Sequence, residues 1–103
     1  METEQQVQKK IITLLETEFN AWATVNMTNS KAGIPDITAC VESRLVAVEV
    51  KLPTTMHTVS KLQQYNIDKI VDAGGIAFAS SSVEHVRSVL HSYKLGNPPT
   101  IEI

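Results

Sequence analysis

Aromatic side chains are scarce, 5% of the 103 residues, and Cys40 is the single cysteine. One thiol excludes an intramolecular disulfide framework and points to a reducing compartment, so a cytoplasmic location is expected. No apolar run approaches the ~20 residues that span a bilayer. The opening residues Glu2, Glu4, Gln5 and Gln6 are polar, unlike a signal peptide. Neither sign of charge dominates: nine Lys and Arg oppose eleven Asp and Glu, a net charge of −2. That balance argues against a disordered polyelectrolyte and against a strongly basic coat for nucleic acid. Also missing are a phosphate-cradling Gly loop, a Gly-x-Ser-x-Gly elbow, a His-Glu-x-x-His pair and paired Cys-x-x-Cys sites. His57, His85 and His91 lack ligand spacing and read as loop or surface residues. Cys40, on a strand with no activating neighbour, reads as packing.

What is present fits one domain over residues 1–103, with 43% apolar positions and enough chain for a single core. Val7, Ile11, Leu14, Leu15 and Phe19 recur at helical steps, which predicts a helix from Thr3 to about Phe19 with a Thr3/Gln6 capping box. Trp22 to Thr28 is strand-like. Ala32-Gly33-Ile34-Pro35 forces a turn, because proline fixes its own φ and restricts Ile34. From Asp36 to Val41 the residues alternate, with Ile37, Ala39 and Val41 facing one way. Leu45 to Leu52 is the strongest strand, with Val46, Val48 and Val50 opposite Ala47, Glu49 and Lys51. With Glu42-Ser43-Arg44 between them, these two strands predict an antiparallel hairpin.

Pro53 to His57 reads as a loop, and a second helix as Ser60 to Ala73, its apolar positions being Leu62, Tyr65, Ile67, Ile70 and Val71. Gly74 and Gly75 stop it. Ile76 to Ser80 predicts a strand buried on both faces. Ser81 and Glu84 fit a capping box for a third helix ending near Tyr93, and Thr100 to Ile103 is a candidate edge strand. The order α-β-β-β-α-β-α predicts an α/β fold with a sheet between helices.

The informative constellation is acidic. Asp36 opens one hairpin strand and Glu49 lies midway along the other, with Lys51 on the same face about 7 Å along. Alone, Glu49 and Lys51 read as the solvent face of an amphipathic strand, Gln63 as the partner of Ser60 in a capping box, and Glu4 as a helix-dipole residue. Together, two carboxylates without a counter-charge repel each other. An oxygen-binding cation such as Mg²⁺ or Mn²⁺ relieves that repulsion, and an adjacent lysine suits water activation or phosphate charge.

Glu4, Gly33-Ile34-Pro35-Asp36, Glu49-Val50-Lys51 and Ser60-Lys61-Leu62-Gln63, in this order and spacing, resemble the PD-(D/E)xK nuclease superfamily. Within it they resemble the VRR-NUC family in its standalone, phage-type form, over residues 4 to about 80. The resemblance implies a restriction-endonuclease-like mixed central sheet flanked by helices, and metal-dependent hydrolysis of DNA phosphodiesters. Asp36, Glu49 and the Val50 carbonyl would hold Mg²⁺ or Mn²⁺, and Glu4 would contribute directly or through water. Glu4 fits the register of the helical acid better than Glu2, with Glu16 and Glu18 as the helix's other acids. Lys51 would position the attacking water, and Gln63 would orient Lys51 or the nucleophile. Standalone members are similar to Holliday-junction resolvases, so branched DNA and a homodimer are the expected partners, with Trp22 or the Ile101–Ile103 edge as contacts. No organic cofactor and no membrane are expected. The net charge leaves Lys9, Lys10, Lys31, Arg44, Lys61 and Lys69 to line a groove. The competing reading is a non-cleaving junction-binding or protein-interaction module on the same fold. A sequence-specific restriction enzyme is a weaker third, since every loop is short.

Overall fold

The computed structural model describes residues 2–26 and 31–96. Met27, Thr28 and the candidate edge strand Thr100 to Ile103 lie outside them. The chain runs α1 (Glu4–Glu18), β1 (Trp22–Val25), β2 (Ile37–Val41), β3 (Arg44–Val50), α2 (Lys61–Asp72), β4 (Ile76–Ser80) and α3 (Val83–Ser92). The order matches the one expected from hydrophobic periodicity.

Helix starts are set by side chains that satisfy otherwise unpaired backbone N–H groups. The Thr3/Gln6 box forms as expected: Gln6 N–H donates to Thr3 Oγ1 at 3.2 Å, and Thr3 N–H donates to Gln6 Oε1 at 2.8 Å. At α3 the cap is Ser82 rather than Ser81; its side chain accepts from His85 N–H, so Glu84 is not the reciprocal partner. The segment after β3, expected as plain loop, contains a turn of 3₁₀ helix at Met56–Thr58.

The four strands form one sheet in the order β1-β2-β3-β4. β1 and β3 each pair antiparallel with β2, and β4 runs parallel to β3. The hairpin between β2 and β3 closes through Glu42 and Ser43 alone, both at positive φ. That conformation matches the twist of the flanking strands, and it places Arg44 in the strand rather than in the break. The parallel pair requires a crossover, which α2 supplies.

Most of the core lies on one face of this sheet. Val7, Ile11, Leu14 and Leu15 of α1 and Val86 and Leu90 of α3 pack on Ile37, Val41, Val46, Val48, Val50 and Ile76. Full burial of each such side chain contributes about 1.5–3 kcal/mol before entropy is charged. The opposite face carries a thin second core of Ala47, Ile67 and Ala77, with Ile70 beside it. The small strand residues let α2 sit close over β3 and β4.

α2 does not extend across β1 and β2. Cys40, expected to pack, is therefore exposed, as are Leu45 and the helix residues Leu62, Tyr65 and Val71. Alternation assigned these residues a face correctly but says nothing of what covers it.

Gly33 fastens the turn before β2 to α2. Its φ is +77°, and an added Cβ would lie 2.5 Å from Leu62 Cγ and 3.1 Å from Asn66 Nδ2. Gly33→Ala combines left-handed strain with overlap and is expected to cost about 1–3 kcal/mol. A urea unfolding midpoint unchanged from wild type would contradict this close approach.

Candidate active site

Asp36 and Glu49 reach the same point from adjacent strands. The β2–β3 ladder pairs Ile37 with Val48, so Asp36 lies just beyond the paired end of β2, beside Glu49 and Val50. Its carboxylate then takes the place of a ladder acceptor: Val50 N–H donates to Asp36 Oδ2 at 2.8 Å. The Asp36 carbonyl accepts from Asn26 N–H at 2.7 Å. The Asn26 amide also donates to the Pro35 carbonyl and to Thr38 Oγ1. The acid is therefore held at both its main chain and its side chain.

Glu49 is 4% exposed and Lys51 9%, so the pair is not on the solvated face that either residue taken alone suggests. The start of α2 lies over this face of β3. Lys51 Nζ lies 3.7 Å from Glu49 Oε2, and its backbone N–H donates to the Ser80 carbonyl at 2.9 Å, tying the end of β3 to β4.

Gln63 does two things at once. Its Oε1 accepts from Ser60 N–H at 2.8 Å, completing the capping box of α2. Its Nε2 donates to Glu49 Oε2 at 3.1 Å. The capping box was legible in sequence. The second contact was not, because it depends on where α2 docks. In the structure the amide contacts Glu49; the role expected of it was to orient Lys51 or the nucleophile.

The other oxygen, Glu49 Oε1, is buried without a hydrogen-bond partner among the described residues. Burial first, and then the negative charge of Asp36, push the Glu49 carboxyl up to about 7; Lys51 only partly offsets this. An unpartnered, buried, repelled carboxylate oxygen beside a second carboxylate is a donor set that suits a hard divalent cation.

Glu4 sits half-buried in the first turn of α1. Among the described residues no three His, Cys, Asp or Glu side chains converge, so Asp36 and Glu49 stand together as a pair without a third such group. Acids at the two ends of α1 differ in their partners. Glu2 pairs with Lys10. Glu18 accepts a two-point contact from Arg87 at 2.9 and 2.7 Å, and this hydrogen bonding holds its carboxyl below the usual range. His57, His85 and His91 are exposed, as expected. His85 Nδ1 lies 2.8 Å from the buried Ser80 hydroxyl, a contact that periodicity does not reveal.

Among the described residues no helix is long and apolar enough to cross a membrane. No family model matches the sequence, and no curated protein matches it. The fold has a solved counterpart described as a VRR_NUC domain protein. It is 21% identical and superposes with a TM-score of 0.72 over 94% of this chain and 93% of that one. The mixed four-stranded sheet between helices is thus a fold shared with a VRR_NUC domain protein.

Proposed function

We propose that this chain is a VRR-NUC-type nuclease that hydrolyses DNA phosphodiester bonds with Mg²⁺ or Mn²⁺. The observation that carries the reading is the Glu49 carboxylate, which is buried, faces Asp36 and has one oxygen without a donor among the described residues. Asp36, Glu49 and the Val50 carbonyl would hold the cation; Glu4, which does not converge with the pair, would reach it through water rather than directly. A cation held there supplies Lewis-acid stabilisation of the charge that builds on the phosphate oxygens.

The remaining work falls to the chain's own groups. Lys51, with its ammonium 3.7 Å from Glu49, orients the attacking water and opposes developing negative charge. Gln63 fixes Glu49 through its 3.1 Å hydrogen bond, so the carboxylate is set in place before substrate arrives. Val50 N–H does the same for Asp36. Branched, Holliday-junction-like DNA is the preferred substrate. The active form is a homodimer whose two sites cut paired strands. Trp22, 65% exposed on edge strand β1, is available for that contact.

A cleavage panel tests the reading: labelled four-way junction, flap, splayed-arm, duplex and single-stranded DNA, each with Mg²⁺, Mn²⁺ or EDTA. Paired cuts in the junction that require the metal are expected. Tight junction binding with no cleavage of any substrate would instead favour a non-cleaving binding module.

A further inference from the structure

α2 covers β3 and β4 and leaves β1 and β2 open on the same face, so a groove runs between the helix and the open half of the sheet. Its larger hollow, about 510 Å³, is lined by Lys31, Arg44 and Lys69 around a floor that includes Leu45, Asn66 and Ile70. It shares Lys31, Leu45, Asn66 and Ile70 with a second hollow of about 230 Å³ that extends to Pro35 and Thr38. The groove therefore reaches the residue next to Asp36.

The charge along this path is one-sided. Three of the chain's nine Lys and Arg line it, and among the described residues no acid does, in a protein that is acidic overall. Arg44 is held from two sides: its Nε donates to the Gly74 carbonyl at 3.1 Å, and its guanidinium lies 4.8 Å from the centre of the Tyr93 ring. A fixed cation loses little freedom on meeting an anion. Leu45, Ala47 and Glu49 share one face of β3. The groove floor at Leu45 thus lies about 13 Å along the strand from the carboxylate at Glu49. The second hollow is bounded by Ile34 and Pro35 of the turn that Gly33 fastens to α2 at Leu62 and Asn66.

We infer that this groove binds the phosphodiester backbone of the DNA strand that enters the site, and so sets which bond meets Asp36 and Glu49. The inference rests on the nuclease reading and adds to it the track that the substrate follows. It also divides the cations. Lys9 and Lys10 lie on α1, which packs on the other face of the sheet, and Lys10 is paired with Glu2.

The test compares two double variants of equal charge change, Lys31→Gln/Lys69→Gln in the groove and Lys9→Gln/Lys10→Gln on α1. Binding of labelled junction is measured by fluorescence anisotropy in EDTA across a salt series, and turnover is measured separately with Mg²⁺. The groove variant is expected to bind at least several-fold more weakly at 0.15 M salt. Its log Kd against log salt slope should be shallower by about 1.5–2, the loss of two phosphate contacts. Its KM should rise with kcat near wild type, and the α1 variant should keep the wild-type slope. An unchanged slope in the groove variant, or equal losses in both variants, overturns the groove as the track while leaving the nuclease reading intact. Failure of wild type to bind any DNA overturns both.

Discussion

Asp36→Asn protein is expected to lose junction cleavage by about 10²–10³-fold or more while staying folded. Asparagine keeps an oxygen that can accept from Val50 N–H, so the 2.8 Å contact that ends the β2–β3 ladder survives. What is lost is the charge that shares the cation with Glu49. Asp36→Ala should lose activity to the same extent but also leave Val50 N–H without its acceptor, at a cost of about 1–3 kcal/mol. The pair therefore separates chemistry from folding. Lys51→Met should show the same activity loss, because it keeps the apolar stem and removes only the ammonium. Cleavage by Asp36→Asn protein within a few fold of wild type, with contaminating nuclease excluded, would end the two-carboxylate reading.

In EDTA, Glu49→Gln protein is expected to be more stable than wild type at pH 8 and no more stable at pH 4.5. The Glu49 carboxyl titrates near 7 in the folded chain, against about 4.3 in an unfolded one. A carboxyl with a raised folded value favours folding most in its protonated form. Its contribution is full below the unfolded value and is lost as pH rises through about 7. Across that window wild type should lose on the order of 2–3 kcal/mol relative to the variant. In a domain of this size that is about 10 °C or more in Tm. Mn²⁺ should reverse the effect in wild type, raising Tm more at pH 8 than at pH 6, since proton and cation compete for the same oxygens. Thermal melts of both proteins over this pH range, with and without MnCl₂, measure it. A wild-type-to-variant difference independent of pH would show that Glu49 is not held in a repelled, buried state.

The parts of this protein that follow from neighbours in sequence were legible in it. The helix stripe of α1, the capping boxes at Thr3 and Ser60, and the β2–β3 hairpin each depend on residues a few positions apart. So does the resemblance carried by Pro35-Asp36 and Glu49-Val50-Lys51, whose spacing is a property of the hairpin. Errors appear where a short-range signal had two equivalent solutions. Ser81 and Ser82 both precede α3, and the backbone conformation selected Ser82.

Three outcomes required the tertiary structure. Periodicity put Glu49 and Lys51 on one face of β3, but only the docking of α2 over β3 and β4, on Ala47 and Ala77, buried that face. The same docking turned Gln63 from a helix cap into a partner of Glu49, and left Cys40 and Leu45 exposed beside a basic groove. The physical reason is common to all three. A sequence fixes the direction in which a side chain leaves its own strand or helix, through contacts within one turn or one pleat. Whether that direction ends in water, in a core or against another carboxylate depends on how elements far apart in the chain pack together.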